Sequence, residues 1–358
     1  MSSLAETYRN YYINPHHIIP LDFDTLQGVP DSHTWPQSDD LSTLDLGSND
    51  ESTTSVIPII DFSDPNVSKL IGHACETWGA FQLINHNIPS SLIESAESEA
   101  RKLFSLPTSE KRKALCLPSE VTGYGLVRLS QFFSQLLWQE GFTVMGSPVD
   151  HAKKLWPDDY ERFCDVMVDF QEKLRALSDQ LMLLILDYLG IPKEEMKWLG
   201  SNSGPERAIA ALRMNSYPPC PDPTRTIGIA PHTDTYFLTI LHQTSKPTRG
   251  LQIHRDGFGW VSVNPVHGAL VVNVGDLLHI VSNGRFHSVL HRAVVNKTHH
   301  RLSLAYVYGP PMTYQLVPSL AKRDDDDPPV YPSLKAKDYV TTKEKHFTGT
   351  LSVLKLQG

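Results

Sequence analysis

Apolar residues recur at helical spacing in the first half of the chain, and they alternate with polar residues at strand spacing in the second half. In the first half we predict three helices, over 66–78, 90–104 and 158–188. Asn66 is the expected N-terminal cap of the first helix, and Gly190 marks the end of the third. The third helix should bury one apolar stripe, made of Leu174, Leu177, Leu181, Leu184 and Ile185.

Short β-favouring runs follow one another from Arg207 onward, separated by Pro-Pro, Asp-Gly, Asn-Gly and Gly-Pro turn signals. The predicted strands are 208–217, 227–232, 237–243, 250–254, 260–263, 269–274, 288–295 and 301–308. Two further strands are expected earlier, over 56–61 and 80–84. Short strands in such a series predict a double-sheet jelly roll, also called a double-stranded β-helix. The fold class is therefore mainly β with flanking α, with an N-terminal α/β region and a long supporting helix.

The same pattern divides the chain into four parts. Residues 1–55 form an N-terminal extension that is partly loop, and 56–200 form the α/β region. The jelly-roll core is expected over 201–315, with a C-terminal loop and helix over 316–358.

Composition narrows the function classes. The 358 residues carry a formal charge of −8, so nothing in the charge balance favours nucleic acid or an anionic membrane as a partner. The four cysteines form no C-x-x-C pair, which indicates free thiols in a reducing compartment. The N-terminus lacks the pattern of a signal or transit peptide, and no apolar run could span a bilayer. We therefore expect a cytoplasmic protein, and no protein partner is implied.

The common nucleotide, zincin and α/β-hydrolase motifs are absent, but the tripeptide H-x-D occurs twice. In a strand, residues i and i+2 point to the same side, so one H-x-D delivers two metal ligands together. The pair His254 and Asp256 precedes Gly257 between two predicted strands, which is typical of a hairpin turn. His232 and Asp234 stand where a strand meets a loop, and they are our candidate ligands.

A third ligand must come from further along the chain. His291 is favoured because it lies inside a predicted strand, ten residues before Arg301. The other candidates are His279, near Asp276, then His287, His299 and His300. Two histidines and one carboxylate on one face of a metal suit a non-haem iron(II) oxygenase. Arg301 and Ser303 share a strand face and could bind a dicarboxylate through a bidentate ion pair and one further donor.

From about residue 56 to 346 the chain resembles the plant soluble 2-oxoglutarate-dependent dioxygenases. The matching segments are IPIID (57–61), WGAFQ (78–82), NH (85–86), MNSYPPC (214–220), HTD (232–234), GLQ (250–252), NVGD (273–276), SNG (282–284), HR (291–292) and RLS (301–303). The resemblance implies iron(II) held by His232, Asp234 and His291. It also implies 2-oxoglutarate held by Arg301, Ser303, Asn215 and Tyr217. Dioxygen is then the oxidant, and ascorbate is expected to support activity.

Within that family the chain is most similar to the gibberellin 3-oxidases. The supporting segments are VPDSHTW (29–35), IGHAC (71–75), TWGAF (77–81), GYG (123–125), FF (132–133), EGFT (140–143), GSP (146–148) and LWP (155–157). The resemblance implies 3β-hydroxylation of a gibberellin precursor, a small rigid apolar molecule that carries a carboxylate. Arg128 is the first candidate for that carboxylate and Arg213 the second. Candidate pocket walls are Tyr124, Phe132, Phe133, Trp138 and Tyr236.

The chain departs from the family pattern at Asn87, Arg213, Thr235 and Tyr236, and these departures bear on the substrate and on the carbon attacked. The nearest alternative is a sibling dioxygenase: a gibberellin 2- or 20-oxidase, or a hydroxylase of flavonoids or other specialised metabolites. A non-catalytic ligand-binding jelly roll is an alternative of another class. A zinc hydrolase is a third, but it would have no use for the dicarboxylate pair Arg301 and Ser303.

Overall fold

The computed structural model describes residues 21–23, 26–36, 57–117, 120–125, 132–200, 207–244, 250–318 and 328–356. Its strands are β1 (Ile59–Asp61), β2 (Ala80–Ile84), β3 (Gly123–Tyr124), β4 (Glu140–Val144), β5 (Ile209–Tyr217), β6 (Ile229–His232), β7 (Leu238–Gln243), β8 (Leu251–Arg255), β9 (Gly259–Ser262), β10 (Leu270–Val274), β11 (His291–Ala293), β12 (Arg301–Gly309), β13 (Gln315–Leu316) and β14 (Leu334–Lys335). Its α-helices are α1 (Val67–Thr77), α2 (Ser90–Phe104), α3 (Thr108–Lys111), α4 (Val149–Leu155), α5 (Glu161–Leu189), α6 (Asp276–Val281), α7 (Ala336–His346) and α8 (Thr350–Leu354).

Two sheets form the centre of the molecule. An eight-stranded sheet has the order β1-β2-β10-β7-β12-β5-β4-β3, and a four-stranded sheet has the order β6-β11-β8-β9. Residues from both sheets line one cavity, so the sheets face each other across it. The predicted double-sheet jelly roll is confirmed.

Strands β5 and β12 pair along nine residues in the middle of the larger sheet. Because successive side chains of a strand point to opposite sides of the sheet, β12 has two different faces. One face is apolar and belongs to the main core: Leu302, Leu304, Tyr306 and Tyr308. The other face lines the cavity: Arg301, Ser303, Ala305 and Val307. A single strand thus joins the hydrophobic core to the functional face.

Helix α5 covers the outer face of the larger sheet and packs against α1, α2 and β12. Its predicted stripe is buried, except that Leu184 is half-buried. Gly190 ends the helix with φ +69°, a left-handed conformation that glycine adopts without the steric cost of a Cβ atom. Phe163 of α5 and Leu304 of β12 belong to one continuous core, which therefore spans the α/β region and the jelly roll.

Differences from the sequence predictions are confined to element ends and short elements. The predicted strand over 288–295 is shortened to β11, and its pairing with β6 shifts register between His291 and Ala293. Asn66 precedes α1 as expected, but its side chain makes no capping hydrogen bond. Strand β4 and helix α6 were not predicted. None of the helices in the described part of the chain is long and apolar enough to cross a membrane.

Candidate metal and dicarboxylate site

Three side chains meet at one end of the smaller sheet. His291 on β11 lies directly opposite His232 on β6, and their ring centroids are 4.2 Å apart. Asp234 follows two residues after His232, and its Oδ1 lies 3.7 Å from His232 Nε2 and 3.8 Å from His291 Nε2. Their candidate ligand atoms all fall within 4.8 Å of one another. Cross-strand pairing therefore brings together residues that are 59 positions apart in the sequence.

Backbone carbonyl groups fix both imidazole rings. His232 Nδ1 lies 2.9 Å from the oxygen of Ala230, and His291 Nδ1 lies 3.0 Å from the oxygen of Val289. Because a carbonyl oxygen can only accept a hydrogen bond, each Nδ1 must carry the proton. The lone pair of each Nε2 is then directed to the space beside Asp234, which is the arrangement that metal-binding histidines adopt.

The electrostatics of the cluster suit a divalent cation. Burial, together with repulsion from His291, lowers the pKa of His232 to about 3. Burial alone would raise the pKa of Asp234, but attraction to His291 and His232 outweighs it and the pKa is lowered. Asp234 Oδ2 is buried and finds no hydrogen-bond partner among the described residues. Two imidazoles and one carboxylate suit iron(II), and these three residues would hold the ion beside the cavity that they line.

The cavity between the sheets has a volume of about 370 Å³. On its floor the pairing of β5 with β12 arranges the side chains in rows. These rows are Tyr217 with Arg301, Asn215 with Ser303, Arg213 with Ala305, and Ala211 with Val307. The first two rows are polar, whereas the last two are apolar except for Arg213. The floor thus has one end suited to a polar anion and another suited to an apolar molecule.

Arg301 is the charged group of the polar end and is only 3% exposed. Its guanidinium lies 4.9 Å from the centre of the Tyr217 ring, and its Nη2 donates to Gln243 Oε1 at 3.0 Å. Its Nε and Nη1 have no hydrogen-bond acceptor among the described residues, and no described carboxylate forms an ion pair with it. A buried cation with two unsatisfied N–H groups calls for an anionic ligand. A carboxylate of 2-oxoglutarate fits this requirement.

Two glycines leave room for the arginines of the cavity. A Cβ atom at Gly250 would lie 2.5 Å from Arg301 Cδ, and one at Gly141 would lie 2.1 Å from Arg213 Nη2. Arg213 Nη1 donates to Gly125 O at 3.1 Å and to Thr143 Oγ1 at 2.9 Å, and its Nε donates to Asn215 Oδ1 at 3.1 Å. These contacts, with Thr143 on β4, Asn215 on β5 and the residue after β3, hold the guanidinium in place. No role in the site was predicted from the sequence for Gly250, Gly141 or Gln243, because only the strand register relates them to the arginines.

The structure brings some of the predicted pocket residues to the cavity and not others. Tyr236 lines it, as does Arg213. Tyr124 faces the core instead, where its hydroxyl donates to Glu140 Oε2 at 2.5 Å. Trp138 donates from Nε1 to Pro218 O at 3.1 Å in a separate apolar cluster. Phe132 and Phe133 pack against Phe347, outside the cavity lining. Arg128 lies outside the described residues.

The competing histidines lie elsewhere. Asp256 is fully exposed in the turn between β8 and β9, and the His254 ring packs on Trp260. His279 contacts Phe286 O through Nδ1 and the Tyr331 hydroxyl through Nε2. Neither group takes part in the cluster of His232, Asp234 and His291.

Comparison with known proteins gives two family matches along the chain. Residues 208–310 match the 2OG-Fe(II) oxygenase superfamily. Residues 57–159 match the N-terminal region described as non-haem dioxygenase in morphine synthesis. Gibberellin 3-beta-dioxygenase 1 of Pisum sativum is 49% identical over 356 residues, which is 99% of this chain and 94% of that protein. Gibberellin 3-beta-dioxygenase 2 of Arabidopsis thaliana is 43% identical, with 99% of each chain covered.

Solved structures show the same fold. The crystal structure of JOX2 in complex with 2OG, Fe and JA has a TM-score of 0.74 and 26% identity, covering 98% of this chain and 99% of that one. The dioxygenase for auxin oxidation in rice has a TM-score of 0.67 and 25% identity, covering 84% of this chain and 100% of that one.

Proposed function

This chain belongs to the 2OG-Fe(II) oxygenase superfamily, and on that premise we propose that it hydroxylates a gibberellin precursor at the 3β position to give a bioactive gibberellin. The observation that carries the proposal is similarity along nearly the whole chain to gibberellin 3-beta-dioxygenases of two plants. The chain is an enzyme that uses iron(II) and 2-oxoglutarate. Its substrate is a small molecule.

His232, Asp234 and His291 would hold the iron, and Arg301 with Ser303 would bind the far carboxylate of 2-oxoglutarate. When bound, iron and 2-oxoglutarate supply the oxidation of an unactivated C–H bond by dioxygen, with succinate and carbon dioxide as co-products. Asn215 would orient the cosubstrate beside Ser303, since its Nδ2 lies 3.4 Å from Ser303 Oγ. The ring of Tyr217 packs against the Arg301 guanidinium. Burial raises the pKa of the Tyr217 hydroxyl, which therefore stays protonated and can donate a hydrogen bond.

The apolar end of the cavity would take the gibberellin skeleton. Its walls include Ile209, Ala211, Met145, Val307 and Tyr236. Arg213 lines this end of the cavity and is, together with Arg128, a candidate for the substrate carboxylate. Tyr217 and Arg213 are four residues apart on β5, which corresponds to about 13 Å along a strand. This separation would keep the substrate anion apart from the anion bound at Arg301, while the reacting carbon lies near the three ligands.

Replacing Arg213 with methionine should raise the KM for the gibberellin substrate by roughly 10- to 100-fold. The reason is the loss of a charge-assisted contact of about 1.5–3 kcal/mol. The KM for 2-oxoglutarate should change little. Initial rates with each substrate varied in turn measure the two constants.

Gly141→Ala is the matched variant, because its methyl group would displace the Arg213 guanidinium while the charge remains. It should raise the substrate KM in the same direction. Unchanged substrate KM in both variants would remove Arg213 from the proposal.

Product analysis tests the function itself. The purified enzyme is incubated with labelled gibberellin precursors, iron(II), 2-oxoglutarate and ascorbate, and the products are identified by mass spectrometry and NMR. We expect one added oxygen atom, as a 3β-hydroxyl, with one succinate per turnover. Hydroxylation at carbon 2 or oxidation of carbon 20 would assign the chain to a sibling oxidase. Succinate formation only with non-gibberellin substrates would overturn the gibberellin proposal.

A further inference from the structure

Asp276 is a carboxylate at the start of α6 that is only 1% exposed, yet it is fully hydrogen-bonded. Its Oδ1 accepts from Ser288 Oγ at 2.5 Å. Its Oδ2 accepts from the Tyr339 hydroxyl at 2.7 Å, from Thr233 Oγ1 at 3.1 Å and from Lys343 Nζ. Burial, and then the charge of Asp276, raise the pKa of Tyr339, so that its hydroxyl remains a donor.

Lys343 is the second charged member of this group, and all of its polar contacts converge on the same place. Its Nζ donates to the backbone oxygen of Thr233 at 2.7 Å and to Thr233 Oγ1 at 3.1 Å, in addition to Asp276. Thr233 is the residue between His232 and Asp234. The backbone adds further contacts, because Asp276 N donates to Asp234 O at 2.8 Å and Leu277 N donates to Thr235 O at 3.1 Å.

A buried ion pair contributes little to the free energy of unfolding, since a protein with an apolar pair of similar volume in its place is often equally stable or more stable. Metal ligands, in contrast, must be held within about 0.5 Å of their productive positions, and the side chains that orient them influence metal affinity strongly. The pair Asp276 and Lys343 contacts both the side chain and the backbone of the residue that separates two candidate ligands.

We propose that Asp276, Tyr339 and Lys343 form a clamp that positions His232 and Asp234 for the metal, so that helix α7 near the C-terminus is part of the metal centre. Tyr339 and Lys343 are four residues apart and therefore lie on one face of α7. Both stand beyond residue 310, where the superfamily match ends. The clamp rests on the proposed function, since it assumes that His232 and Asp234 bind iron.

The test measures metal binding directly. Mn(II) serves as a redox-stable probe, and its dissociation constant is measured by calorimetry with the full-length protein. Lys343→Met keeps the length of the side chain and removes the charge. It should weaken Mn(II) binding by roughly 10- to 100-fold, the effect typical of groups that orient metal ligands. The KM for iron(II) should rise in parallel, while kcat at saturating iron(II) stays within about threefold.

Lys345→Met is the matched control, because Lys345 is exposed on the same helix and its loss should leave Mn(II) affinity unchanged. Tyr339→Phe removes one hydroxyl only. It should weaken Mn(II) binding by a few fold, and it preserves the test if Lys343→Met does not fold. The double variant Asp276→Asn with Lys343→Met removes both charges, and it should not regain Mn(II) affinity even if its unfolding free energy returns to that of the wild type.

The outcomes separate the clamp from the proposed function. If the single variants lose only unfolding free energy and bind Mn(II) as the wild type does, the clamp is refuted and its members are structural. If the wild type binds no Mn(II), or if Asp234→Ala binds it equally well, the metal site itself is refuted, and the clamp with it. Restored Mn(II) affinity in the double variant would also overturn the clamp.

Discussion

Asp234→Ala is expected to reduce turnover to the background rate, with succinate formation lost together with product. Asp234 is the only carboxylate of the described residues in the candidate metal cluster, and its two neighbours alone leave a site without negative charge. A divalent oxygenase site needs that anionic ligand, both for affinity and for geometry. The measurements are coupled product and succinate assays at increasing iron(II), and calorimetry of Mn(II) binding.

Loss of folding should not explain this result. One oxygen of the wild-type carboxylate has no hydrogen-bond partner among the described residues, and attraction to the two imidazoles offsets the cost of burying its charge, so its net contribution to folding is small. The unfolding free energy of the metal-free variant should therefore stay within about 1 kcal/mol of the wild type. Asp256→Ala is the natural control, because Asp256 is the carboxylate of the second H-x-D and is fully exposed. Its activity should be unchanged. Metal-dependent turnover that survives in Asp234→Ala would refute the site.

Arg301→Ala is expected to raise the KM for 2-oxoglutarate by roughly 30-fold to several thousand-fold. The loss of one partner of a buried, hydrogen-bonded charge pair costs about 2–5 kcal/mol. The KM for the gibberellin substrate should rise far less, because Arg301 lies at the opposite end of the cavity floor from Arg213. Initial-rate measurements with each substrate varied in turn separate the two effects.

Two further variants sharpen this test. Gly250→Ala would bring a methyl group within 2.5 Å of Arg301 Cδ, so it should raise the KM for 2-oxoglutarate in the same direction with the charge retained. Arg255→Ala is the control, since Arg255 at the end of β8 packs on the rings of Trp78 and Phe258 and does not line the cavity. Equal increases in both KM values for Arg301→Ala would mean that Arg301 supports the cavity generally and does not select the cosubstrate.

Local pattern was sufficient to predict those site features that depend on spacing within one strand. Two-residue spacing places Arg301 and Ser303 on one face of β12, and the structure shows both in the cavity lining. The turn at Asp256-Gly257 was also predictable from local residue types. It distinguished the H-x-D that lies in a turn from the H-x-D that supplies candidate metal ligands. Strand β4 was not predicted because four of its five residues are buried and the fifth is half-buried, so its sequence shows no alternation of polar and apolar positions.

The aromatic pocket candidates could not be assigned from local sequence, because it does not show which face of a strand points to the cavity. Tyr124 pairs with Phe142 across β3 and β4, and both face the core, whereas Gly141 and Thr143 on the same strand point to the cavity side. A shift of one residue exchanges the two faces of a strand, and only the pairing register decides which is which. The same limit applies to Arg213, whose position depends on the absence of a side chain at Gly141.

The sequence by itself determined the fold class, the succession of strands and the chemical identity of the candidate groups, because periodicity and residue type are local properties. Tertiary structure alone decided which distant groups meet. It set His291 opposite His232, left Arg301 buried without a carboxylate partner among the described residues, and carried Lys343 to the backbone of Thr233, 110 residues away. The physical reason is that contacts between strands and helices depend on register and packing. Both result from many weak interactions along the whole chain, so they cannot be inferred from the residue at any single position.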